Sequence, residues 1–174
     1  MISMTRKKIL AFIGVLLICI GFVFAVLFGK TCYQVKEELS YRIVYSLRLV
    51  VMDNSFSEFE VPSRTSQRAI YEAHQAVDIY ESTWYNQEVG TLEKILATLD
   101  YAINQVDETG EIKPQALNAY SKLIPILKAA GFESDMSAST NQEQLANGIQ
   151  AMGSQYSMDE ITRALLEAQE MLNQ

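Results

Sequence analysis

"YQVKEELSYRIVYSLRLVVMD", residues 33–53, supports two incompatible readings. Leu39, Ile43, Leu47 and Val50 recur at helical spacing, whereas Ile43, Tyr45, Leu47, Leu49 and Val51 alternate as in a half-buried strand. A strand needs a neighbour, because a lone one leaves its row of N–H and C=O groups bare. No second strand-like run occurs in the 174 residues, and no glycine or proline interrupts the chain between Lys30 and Met52. The stretch is therefore expected to be helical and to continue a helix that begins upstream, and the fold class is all-α.

Upstream, Ile9 to Gly29 form 21 successive uncharged, almost wholly apolar residues. As a helix rising 1.5 Å per residue they reach roughly 30 Å, the thickness of one hydrocarbon core. A cleaved signal peptide has an apolar region of only about 7 to 15 residues followed by a small-x-small site. Here the run is longer and ends "VLFGKTC", with Lys30 where a peptidase requires small neutral residues. Ile18 and Lys30 likewise disfavour lipid attachment at Cys19 or Cys32. The segment reads as an uncleaved transmembrane helix. Arg6, Lys7 and Lys8 precede it immediately, so the N-terminus is expected in the cytoplasm and the remainder in the periplasm or outside the cell, from a single pass of the inner (cell) membrane.

Within that helix Gly21, Ala25 and Gly29 are four apart, and Gly14, seven before Gly21, falls near the same stripe. Small side chains let a second backbone approach, which is how spans associate when lipid is as apolar as leucine. These four residues are the candidate packing face for another membrane protein or a second copy. Cys32, just beyond the span, has no cysteine partner in the exported part.

Downstream, "NSFSEFEVPSR" (54–64) is a loop whose Phe56, Phe59 and Val61 are expected to tuck onto a bundle. Ser66 is expected to cap a helix reaching about Tyr85, with Ile70, Ala73, Val77, Tyr80 and Trp84 on its apolar face. From Gln87 to Val106 runs a heptad with Leu92, Leu99 and Val106 at one position and Ile95 and Ala102 at the other. "DETGEIKP" turns the chain, Pro114 opens the next helix and Gly131 closes it, with a kink at Pro125. After "GFESDMSAST", the sequence-level hinge, capping boxes Thr140/Glu143 and Ser157/Glu160 open two more helices. The expected organisation is a basic cytoplasmic end (1–8), a transmembrane helix (9–29), an exported bundle of about four helices (30–131), a linker (132–140) and a C-terminal helical hairpin (141–174). The hairpin, with Ile161, Leu165 and Leu172 on its apolar face, either completes the bundle or docks on a partner.

Chemistry is sparsely signalled. Four of the fourteen basic residues precede Thr31 whereas all 21 acidic residues follow it, so the exported part carries a formal charge of −11 and is repelled by nucleic-acid backbones. "FGKT" (28–31) ends like a phosphate-binding loop, but Phe24 stands where that loop needs glycine. "QVDETGEIKPQA" (105–116) has the glycine of a calcium loop, but Gln105 and Ala116 replace its first and last carboxylates. His74, the single histidine, is followed by Asp78 and Glu81 at helical spacing, a set too small to hold a metal without help. No serine or cysteine sits in a nucleophile elbow. No catalytic residue, cofactor or metal is expected. The expected function is a non-catalytic membrane-anchored accessory or scaffold subunit that meets lipid and other integral membrane proteins or itself. The alternative is an extracytoplasmic ligand-binding or sensory bundle acting through a partner, with its pocket near Trp84 and Pro125.

Overall fold

The structure, a computed structural model, describes residues 6–53, 61–84, 87–132 and 140–173. Among these residues six helices follow one another: α1 (Arg6–Met52), α2 (Arg64–Trp84), α3 (Gln87–Ile103), α4 (Pro114–Ala129), α5 (Asn141–Gln155) and α6 (Met158–Leu172). The protein is all-α; among the described residues the sole β pairing is an isolated bridge between Val106 and Ile112. The chain divides into two compact units, Met1–Lys36 and Glu37–Gln174.

In the first unit α1 is apolar on every side. Val15, Leu17, Phe22, Phe24 and Phe28 are all exposed, although no soluble surface favours such residues around a whole helix. This is the one helix among the described residues that is long and apolar enough to cross a membrane, and none of its apolar window is buried.

In the second unit the remaining residues of α1 join α2–α6 around one core. The ambiguity at 33–53 resolves as helix: Leu39, Ile43, Leu47 and Val50 are buried while Tyr41 and Tyr45 are exposed, a helical period that alternation would not produce. The α2 helix packs along α3, and α4 along α6. Ala69, Ala73 and Ala76 of α2 and Ala116 and Ala119 of α4 are buried, and such short side chains let neighbouring helices come close. On α3, Leu92, Ile95, Leu96, Leu99 and Ala102 fill the centre.

Several local expectations change. Ser63, not Ser66, opens α2: its Oγ accepts the Ser66 N–H (3.2 Å) and its carbonyl accepts the Gln67 N–H (2.9 Å). Ser66 is buried in the first turn, where its hydroxyl donates to Asp53 Oδ2, and that same oxygen accepts the Ser63 N–H at 3.2 Å. A carboxylate from the end of α1 thus sits at the positive start of α2. The α3 helix stops at Ile103, three residues before Val106. The turn that follows needs Val106 extended to meet Ile112, which leaves this last heptad position 47% exposed. Val61 is exposed rather than tucked in, while Phe56 and Phe59 lie outside the described residues.

The helix ends otherwise match. Pro114 occupies the first position of α4, and Gly131, at φ 67°, follows its last turn with its N–H donating to the Lys128 carbonyl. Thr140 caps α5, and at α6 both halves of the Ser157/Glu160 box form. The α5 helix runs to Gln155. Pro125 lies inside α4 on its exposed side, costing one backbone bond without ending the helix.

Candidate interaction surfaces

Gly14, Gly21, Ala25 and Gly29 all lie on α1 in the first unit. A methyl group built on Gly14, Gly21 or Gly29 would meet nothing within 4 Å, so no other part of the described chain covers that stripe. Cys19 is exposed, Cys32 partly buried, and both are free thiols. Phe28 to Thr31 continue the helix, with the Thr31 hydroxyl donating to the Leu27 carbonyl at 3.0 Å, so no phosphate-cradling loop forms there.

The hairpin completes the bundle. Ile161 and Leu165 are buried in the core and Leu172 packs against it, so the face considered for a partner is turned toward α4 and α3. The large apolar side chains that α6 leaves exposed are Met158 and Leu166. Amphipathic spacing reveals which residues share a face but not what the face meets.

His74 pairs across helices rather than along its own. Its Nδ1 lies 2.9 Å from Asp100 Oδ2 and its Nε2 3.8 Å from Glu93 Oε1, both on α3, whereas Asp78, four residues away on α2, is exposed. Asn104 Nδ2 donates to the other oxygen of Asp100 at 3.3 Å. The cluster fastens α2 to α3. Among the described residues no group of three His, Cys, Asp or Glu side chains could hold a metal ion.

The acidic turn organises itself. Asp107 Oδ1 accepts the Thr109 hydroxyl (2.6 Å), the Thr109 N–H (2.8 Å) and the Glu111 N–H (3.1 Å). These bonds hold the carboxyl below its ordinary range, led by the Thr109 hydroxyl. Gly110 adopts the positive φ of 84° that the reversal requires. Along α2–α4, Tyr71 and Tyr101 are exposed while Tyr80 and Tyr120 are buried. Burial, with the Asp53 charge adding to it, pushes the Tyr120 phenol far up.

Glu37 carries no sequence signal, yet it makes the longest-range polar contact described. Its Oε1 accepts the Asn141 N–H (2.6 Å) and the Asn141 side-chain amide (2.7 Å), and its Oε2 accepts the Gln142 N–H (3.2 Å). A carboxylate thus meets the positive end of α5, beside the Thr140 cap that accepts the Glu143 N–H. Burial opposes the charge, but the Asn141 and Gln142 donors outweigh it and lower the carboxyl below its ordinary value of 4.5. The resulting stabilisation is complete above that value and disappears as pH falls through the lower folded-state value. The stability difference between wild type and Glu37→Gln in urea melts should therefore be about 1 kcal/mol near pH 7, and it should close under acid. A difference constant with pH would contradict this.

Farther along α1, Arg48 Nε donates to the Phe132 carbonyl at 3.1 Å. The Phe132 ring is buried against Gly148 of α5. A cavity of about 550 Å³ lies alongside α5, lined by Thr91, Ile149, Met152 and Met158 among others; neither Trp84 nor Pro125 lines it.

Comparison with known proteins finds no matching family model, no matching curated protein and no matching solved structure.

Proposed function

We propose that the chain is a non-catalytic, single-pass membrane-anchored accessory or scaffold subunit of a larger membrane protein complex, docking through its span and its acidic helical unit. The observation that carries this reading is the apolar length of α1, exposed on all sides and bearing three glycines with open space before them. On this reading the basic cluster Arg6–Lys8 stays in the cytoplasm and the acidic unit is exported. The partner is another integral membrane protein or a second copy, whose helix approaches over Gly21, Ala25 and Gly29.

The test is purification of the C-terminally tagged protein from native membranes in mild detergent, beside a Gly21→Leu/Gly29→Leu variant. A defined membrane partner that co-purifies with wild type should be lost from the variant, because two leucines hold the backbones apart. Recovery of the protein alone in both forms would reduce the span to an anchor. A second reading, ligand binding by the helical unit, draws on the cavity beside α5. It requires a small molecule that raises the melting temperature and loses that effect when Ile149 is enlarged to Trp.

A further inference from the structure

Three features single out α5 within the Glu37–Gln174 unit. It packs less extensively against α3 and α4 than α6 does, and the residues it buries are Leu145, Gly148, Ile149 and Met152. The 550 Å³ cavity runs beside it toward Thr91 and Met158, so that flank is incompletely packed. Its first turn is fastened by a side chain 104 residues earlier in the chain, through the three bonds to Glu37.

We propose that α5 is a releasable arm whose docked state is held by the Glu37 carboxylate, so that loss of this latch frees α5 while the core of α2, α3, α4 and α6 stays folded. Elements with few buried contacts open locally at lower cost than the whole fold, and α5 meets that description. Its release would uncover the Phe132 ring, which rests on Gly148, together with Leu145, Ile149 and Met152. The latch consists of one charged partner and neutral amide donors. The charged side chains nearest in sequence are Lys36 and Glu38 on α1 and Glu143 in the first turn of α5. Replacing the carboxylate with a neutral group of the same shape therefore removes the charge at the helix start while leaving the packing in place.

Hydrogen exchange of the full chain in mild detergent at pH 7, resolved by peptide, tests this with Glu37→Gln and Glu37→Ala. Peptides covering 141–155 should exchange roughly tenfold faster in both variants, while those of α2, α3, α4 and α6 stay within about twofold of wild type. Unchanged exchange in α5 would overturn the proposal, as would acceleration of all helices together, which would make Glu37 an ordinary contributor to global stability. Glu160→Gln serves as the control, because it weakens the cap of α6 instead. If that change releases α5 to the same degree, the arm answers to general loosening and the latch is refuted.

Discussion

Phe132→Ala is expected to destabilise the Glu37–Gln174 unit by about 3–5 kcal/mol, the usual cost of deleting a fully buried aromatic side chain. The ring is 1% exposed, and it lies so close to α5 that a methyl group on Gly148 would overlap its Cζ and Cε1 atoms. Real carbon atoms do not approach so closely, so Gly148→Ala must push the ring or the helix aside. The gain of about 1 kcal/mol from replacing a mid-helix glycine should be outweighed by overpacking of about 1–3 kcal/mol. Gly148→Leu should be worse. The decisive measurement is a double-mutant cycle: once Phe132 is alanine, the room it vacates should make Gly148→Ala harmless or stabilising. The two changes should then couple by at least about 0.5 kcal/mol. Strict additivity in denaturant melts would show that the ring does not rest on Gly148.

The second large effect separates two positions that the heptad treats alike. Leu99→Ala should cost about 2–5 kcal/mol and lower the melting temperature by about 10 °C, because Leu99 is wholly buried among the helices. Val106→Ala should stay within about 0.5 kcal/mol, since Val106 lies beyond the end of α3 with about half its surface in water. Equal losses at the two sites would mean that α3 extends through Val106 after all.

That contrast marks what the sequence discloses and where it falls silent. Periodicity is a local property, so the apolar faces of α2, α3 and α6 could be read directly, as could the caps at Thr140 and Ser157, whose partners lie three residues away. The helix at 33–53 was readable because the strand alternative had nothing to pair with. Everything that depends on which helices abut was hidden. His74 was assigned neighbours on its own helix, yet its partners come from α3. Ser66 was read as the start in place of Ser63 because Asp53, which accepts the Ser63 N–H, stands ten residues earlier in the chain. Glu37, Arg48 and Gly148 resemble ordinary surface or helix residues until the fold brings Asn141 and Phe132 to them. The stripe of Gly14, Gly21, Ala25 and Gly29 is explicit in the sequence, and among the described residues nothing lies within 4 Å of a methyl group built on its three glycines.

The bonds from Glu37 to Asn141 and from Arg48 to Phe132 span 104 and 84 residues, and that separation orders events as the chain is made. At about 5–20 residues per second, the ribosome delivers Asn141 roughly 5–20 s after Glu37. During that interval Leu39, Ile43, Leu47 and Val50 lack the covering that the finished core provides. The apolar face of α1 is thus the earliest part of the core to be synthesised, and the bonds that tie α1 to Asn141 and Phe132 are among the last to form. A chain caught in that interval therefore holds α1 without either of these long-range polar ties.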